Sequence, residues 1–465
     1  MLKQNNTSNF LLKNMILISI GFFISAGLFL FYRKFILNEE YFTFTIFALA
    51  GILFHYSKSQ KRLEFPISKI IFGILLFAIT YICYYLYKAY EYIPQWDYLC
   101  FYIFGNVGIS TSDFYNPVIF SKFYEELHLQ SITNSLFIQE IVEVGFWYPP
   151  PSMFLFLPLG LFDLKTGHIV WQTMITSFFL IDIFLLLRWY SDQTIKKENG
   201  ITEFPILLII LLFPNILASF FYSQIISIFL FFLILTIKNI NNWKSGIYLT
   251  ILVFIKPLAA IFMLYYLLFK KWKVIASAAI AFTIILILTT LLFGYDPLLN
   301  YIVSPPTDRI PDYIYFEASS LLGVLRNLHL NFLSELSING IKMLYYLLSI
   351  CLIILAFYAS KQLSKVSTPM AFMIFIPLAL MVYPVTYFNY CTLLLPVVIY
   401  IFYQVPFRNY SLKLVLVFCL YVIGHYHLFL LNLTIFGILT IWSLLLKYSK
   451  TKLLDASFIN LKQII

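Results

Sequence analysis

Long apolar runs separated by short basic loops recur along this chain, and they dictate the kind of environment in which it can fold. About 20 apolar residues are needed to cross the roughly 30 Å hydrocarbon layer. Runs of that character fall at 15–32, 41–57, 70–88, 166–187, 204–218, 221–237, 273–293 and 341–359, with shorter ones at 370–383, 391–404, 413–428 and 432–446. Only 11% of the 465 residues are charged and 61% are hydrophobic. Soluble domains covering a chain of this length would need far more surface charge. The expectation is an all-α polytopic membrane protein.

The formal charge of +10 follows from where the cations sit. They cluster in short loops: Lys58, Lys61, Arg62 and Lys69; Lys196 and Lys197; Lys270, Lys271 and Lys273; Lys361 and Lys365; Lys447, Lys450 and Lys452. Such loops mark the cytoplasmic face of a membrane protein. No basic run is interleaved with stacking aromatics on a polar segment, which argues against nucleic acid as a partner. The 20% aromatic content reads mainly as interfacial belts. Five widely spaced cysteines show no CxxC or Cys/His pattern, so a structural zinc site is not expected. The run from Met15 to Tyr32 is long for a signal peptide and lacks an A-x-A exit, so it reads as a retained span.

With 58–69 cytoplasmic, span 70–88 delivers 91–147 outside as a long loop carrying seven acidic residues against Lys122. The second long loop, 294–340, also falls outside and is also net acidic. For the basic loop at 188–203 to lie inside, one of 149–162 and 166–187 must fail to cross. The short run beginning Pro149-Pro150-Pro151 is the one expected to be partial or re-entrant. By the same logic 246–269 must return to its starting side, breaking at Lys256-Pro257 because proline cannot donate to the helix ladder. Broken backbone at that depth has to be buried in protein or face a watery cavity. The expected divisions are 1–69, a two-span N-terminal segment; 70–404, the membrane core; and 405–465, C-terminal spans and a cytoplasmic tail.

Seven positions or short segments are candidates for chemistry. Asp97 heads an amphipathic-looking stretch, 98–109, just after the third span; it is either a helix cap or a carboxylate able to accept a proton. Lys256 is a cation inside an apolar run, which either snorkels to an interface or meets a polar partner such as phosphate. Asp182, also mid-run, is expected to pair with a neighbouring helix. Phe146-Trp147-Tyr148-Pro149-Pro150-Pro151 reads as a rigid helix start. Tyr222-Ser223-Gln224 puts an amide near the outer end of a span. Glu317 to Gly323 with Arg326 forms an element in the second loop, and Tyr383 to Tyr390 makes another helix junction.

The order of these motifs resembles glycosyltransferase family 87, the polyprenyl-phosphate-mannose-dependent mannosyltransferases of the GT-C superfamily, over roughly residues 90–400. The resemblance implies a GT-C-like bundle of about 11–14 transmembrane helices, with two long external loops containing short amphipathic helices. It places the family's catalytic aspartate on Asp97 and its Tyr-Pro-Pro element on Tyr148, Pro149 and Pro150. The Gly-Gln step falls on Gln224, with Ser223 in place of glycine. The Lys-Pro element falls on Lys256 and Pro257, and the loop element on Ser320, Gly323 and Arg326. Tyr387 belongs to the late junction, where Asn389 stands at the position of the family's histidine and cannot carry a proton charge as histidine does.

What this implies is inverting transfer of a hexose, mannose in the family, from a polyprenyl-phosphate donor to a glycan or glycolipid acceptor. The site would face the periplasm or exterior of a bacterial cytoplasmic membrane. Asp97 would be the general base and Lys256 and Arg326 the holders of the leaving phosphate, with no nucleotide sugar and no cofactor. A flippase or transporter of lipid-linked sugars is the alternative; it would share the cavity and the aromatics without needing Asp97 for chemistry. The transferase reading requires Asp97, Tyr148, Gln224, Lys256, Arg326 and Asn389 to line one cavity.

Overall fold

A computed structural model describes residues 97–113, 115–126, 148–194, 219, 223–303, 320–331, 337–404, 419–420, 423 and 427–449. The expected spans at 15–32, 41–57, 70–88 and 204–218, with most of both long loops, lie outside the described residues. Among the described residues every regular element is helical. In chain order the α-helices are α1 (Asp97–Ser110), α2 (Pro117–Glu126), α3 (Met153–Phe156), α4 (Leu164–Thr194), α5 (Ile226–Lys238), α6 (Lys244–Ile255), α7 (Met263–Leu268) and α8 (Trp272–Phe293). They continue with α9 (Asp296–Val303), α10 (Leu321–Asn331), α11 (Ile338–Leu363), α12 (Thr368–Met373), α13 (Phe375–Val382), α14 (Leu395–Gln404) and α15 (Leu428–Ser449). Tight 3-10 turns at Pro150–Ser152, Leu157–Leu161, Pro257–Phe262 and Phe388–Leu394 interrupt or join them.

Four of these helices contain stretches long and apolar enough to cross a membrane: Leu164–Trp189, Trp272–Phe293, Ile338–Leu363 and Leu428–Leu446. Their outward faces carry apolar stripes at helical spacing: Ile280, Ile284, Ile287 and Leu291 on α8, and Met343, Leu347, Ile350 and Ile354 on α11. An exposed stripe at that spacing suits a lipid environment. The protein is an all-helical polytopic membrane protein. By contrast, α12 and α13 are buried almost all round from Met370 to Met381, and form the centre of the main apolar core.

Helix ends follow local chemistry. Asp163 opens α4 by accepting from the backbone N–H groups of Lys165 and Thr166 at 3.1 and 3.0 Å and from the Thr166 hydroxyl at 2.6 Å. Those bonds hold its carboxyl below the usual carboxylate range. The Ser337 hydroxyl accepts from Gly340 N at 3.1 Å and starts α11. Gly294, at φ +78, ends α8 in a conformation that disfavours residues bearing a Cβ.

The proline segments break where the sequence requires. Pro150 occupies the first turn of a short, partly 3-10 segment running to Leu161, in place of a full span. α6 stops at Ile255, Lys256 is extended (φ −149, ψ 124), and Pro257 begins a 3-10 turn. One expectation is corrected. The stretch 98–109 is not amphipathic: from Tyr98 to Gly105 every residue of α1 is buried, because the helix lies wedged in the fold, against the 153–161 segment, rather than flat on a surface.

That wedge depends on two glycines. A Cβ on Gly105 would sit 2.4 Å from Phe156 O and 2.8 Å from Gly160 N, and one on Gly160 would sit 2.6 Å from Gly105 C. The two backbones touch, and neither can yield as a flexible side chain would. Two tyrosines reach from the same helix to the start of α4, Tyr98 Oη donating to Leu164 O at 2.7 Å and Tyr102 Oη to Phe162 O at 3.0 Å. Gly105→Ala should therefore destabilise the protein by about 1–3 kcal/mol through overpacking. Gly437→Ala, with open space around its Cβ, should be neutral or slightly stabilising. Thermal unfolding of the two detergent-solubilised variants reads the difference.

Candidate active site

Asp97 is the first residue of α1, so whatever fixes that helix fixes its carboxylate. The carboxylate reaches across the fold and Gln224 Nε2 donates to its Oδ2. Gln224 stands in the turn that precedes α5, with its backbone N–H donating to Ser219 O at 2.8 Å. Lys256 lies close enough to act on Asp97 through its charge. Asp97 and Lys256 are only partly exposed, so water screens their charges incompletely.

The helix break is what frees Lys256. As the extended residue between α6 and the 3-10 turn at Pro257, it points its ammonium between two rings, 5.0 Å from the centroid of Tyr148 and 4.6 Å from that of Tyr390. Its Nζ also donates to the Tyr390 hydroxyl. Cation–π contacts of this kind are attractive and strengthen when water is excluded. Tyr148 is itself fixed: its carbonyl accepts from Tyr115 Oη at 2.6 Å, and its ring meets Phe156 edge-on at 5.4 Å. Tyr383 and Tyr387 lie near enough to act electrostatically on both Tyr148 and Tyr390.

Asp97, Tyr148, Gln224 and Lys256 are therefore gathered at one place, with Tyr387 beside them. Ser320 acts locally instead, its hydroxyl donating to Pro384 O at 2.5 Å and accepting from Gly323 N at 3.1 Å, so that it caps α10 and ties it to the 383–390 junction. Arg326 is half-buried on α10. Asn389 falls in the 3-10 turn Phe388–Leu394, but its side chain lies outside the described residues. Tyr390, named from the sequence only as the end of the 383–390 junction, joins the site as a partner of Lys256. Asp182 does not show the expected pairing: it is fully buried in α4 and neither carboxyl oxygen has a hydrogen-bond partner among the described residues. Among the described residues no group of three or more His, Cys, Asp or Glu side chains could hold a metal ion.

Residues 146–364 match glycosyltransferase family 87. The region is that of a glycosyltransferase and takes in a little under half of the chain. Tyr148, Gln224 and Lys256 lie inside it, while Asp97 and Tyr390 lie outside and join it through their bonds to Gln224 and Lys256. No curated protein and no solved structure matches the chain.

Burial pushes the Asp97 carboxyl up to about 6, against the opposing pull of the Lys256 charge and the Gln224 hydrogen bond. Infrared titration of the protein should show a protonated-carboxyl band that disappears with a midpoint near pH 6 and is missing in Asp97→Asn. In Lys256→Met the midpoint should move to higher pH, because the charge that favours carboxylate has gone. A band unaffected by Lys256→Met would mean that the two groups are not neighbours.

Proposed function

We propose that the protein transfers a hexose from a polyprenyl-phosphate donor to a hydroxyl of a glycan or glycolipid acceptor, with inversion and with Asp97 as general base. The observation that carries this reading is the joining of Asp97 to Gln224 and to the field of Lys256, next to a cage of tyrosines, in a glycosyltransferase region. The acceptor oxygen attacks the anomeric carbon while Asp97 takes its proton. The bond from that carbon to the phosphate oxygen breaks, and the electron pair leaves on the phosphate. A lipid phosphate is stable as an anion and needs no acid to help it depart, so a single carboxylate suffices where two-carboxylate hydrolases need a pair.

Lys256 supplies the charge that a departing phosphate requires. A cation already fixed where negative charge develops lowers the barrier without reorganising during the reaction. The rings of Tyr148 and Tyr390 hold it there, and ring faces also suit the apolar face of a sugar. Arg326 is the second proposed phosphate holder, on the helix that the Ser320–Pro384 bond ties to the 383–390 junction. Tyr387 and Asn389 are proposed to contact the sugar or phosphate from the adjoining turn. Mannose is the expected hexose, and the periplasmic or external face of a bacterial cytoplasmic membrane the expected side.

The test is transfer of radiolabelled sugar in membranes supplied with mannosyl-, glucosyl- or arabinosyl-phosphate polyprenols. Wild type should label an acceptor from one of these donors, and Asp97→Asn should lower turnover about 10²–10⁴-fold, the usual contribution of a positioned base. Turnover unchanged in Asp97→Asn overturns the base assignment. Movement of the intact lipid-linked sugar across the membrane without any transfer would replace the proposal with a flippase.

A further inference from the structure

The bond from Gln224 to Asp97 depends on a backbone that most residues avoid. Ser223, immediately before Gln224, has φ +55, the left-handed region that side-chain-bearing residues rarely occupy. It is fully buried, so water does not compensate it. Two side chains from one face of α4 grip it. Trp171 Nε1 donates to the Ser223 carbonyl at 2.8 Å, and the Ser223 hydroxyl donates to Gln172 Oε1 at 2.9 Å. His168, one turn earlier, brings Nε2 to 3.5 Å from that hydroxyl and sets its ring, tilted, with its centroid 4.8 Å from that of Tyr98, the neighbour of Asp97.

α4 thus acts on both halves of the Asp97–Gln224 bond. Through Leu164 O and the ring of His168 it holds the first turn of α1, which carries Asp97. Through Trp171 and Gln172 it holds the peptide that precedes Gln224. Rotating that peptide toward an ordinary conformation would swing Gln224 away from the carboxylate. Strain persists at a functional position only where surrounding bonds over-determine it.

We infer that Trp171 and Gln172 are positioning residues, which lock Ser223 in the left-handed conformation so that Gln224 stays aimed at Asp97 and fixes which carboxylate oxygen is left for substrate. Their importance for turnover rests on the proposed role of Asp97 as base; their effect on the Asp97 carboxylate does not. Glycine adopts this backbone readily, so at position 223 it would need no such grip.

The test uses Trp171→Phe, which removes the donor N–H but keeps a ring against Phe101 and Phe156, and Gln172→Met, which removes the acceptor at similar volume. Thermal unfolding identifies any variant that fails to fold. The direct readout is the infrared titration of Asp97. Losing the Gln224 hydrogen bond disfavours the carboxylate, so both variants should move the midpoint to higher pH, and adding Ser223→Gly to Trp171→Phe should bring it back. In transfer assays with the polyprenyl-phosphate sugar that supports wild-type labelling, kcat should fall by roughly tenfold to a hundredfold with KM unchanged, as expected for a misaimed group.

A midpoint unmoved in both variants, or moved in Trp171→Phe and not restored by Ser223→Gly, overturns the inference. If the midpoint moves as expected but no donor supports transfer in wild type, the positioning stands and the transferase reading falls.

Discussion

The arrangement depends on keeping one carboxylate and one ammonium close together where water screens them poorly. Neither charge is stable alone at that depth, since an unpaired ion in a low-dielectric site is costly. Asp97 enters on α1 and Lys256 on the break after α6, so the fold must bring two distant segments into register before either charge is satisfied. The Gly105–Gly160 contact sets how deeply α1 sits, and the Lys256–Pro257 break sets which way the lysine points. Gln224 and the two tyrosines then complete the set of partners. Each ion therefore has more than one neighbour, which lets the pair persist without a dedicated, fully buried salt bridge.

The break at Lys256 joins chemistry to architecture. An uninterrupted helix through 244–268 would carry the lysine on its flank, with all backbone bonds satisfied and the side chain free to snorkel. Proline removes one donor from the ladder, and the extended residue before it projects inward. The partial segment 150–161 does the same for Tyr148, whose carbonyl and ring are both pinned. Two short, broken helices thus line the site, while the long helices α4, α8, α11 and α15 serve as the frame.

Much of this frame was legible in the sequence, because span length and proline placement are local signals. The runs at 166–187, 273–293, 341–359 and 432–446 correspond to long helices, and the two proline-led interruptions fall where charge topology required them. The nature of α1 was not legible. Its run of Tyr, Phe, Ile and Cys with an occasional polar residue suits an interfacial helix as well as an enclosed one, and only the tertiary fold decides between them. The role of Tyr390 was hidden because tyrosine is common here and its pairing with Lys256 is long-range. Gln224 was visible as a polar residue near the end of a span and as the resemblance's Gly-Gln position, but not as a partner of Asp97. That it serves the carboxylate follows from a contact 127 positions away, and the grip on Ser223 arises likewise from another helix.

Whether the two charges satisfy each other is read by a double-mutant comparison of thermal stability in the same detergent. Asp97→Asn leaves the ammonium without its partner charge, and Lys256→Met leaves the carboxylate without its own. Each single variant should melt below wild type, and Asp97→Asn/Lys256→Met should melt above at least one of them because both stranded charges are gone. Losses that simply add in the double variant would contradict this pairing, showing that the two groups are satisfied independently and do not share one site.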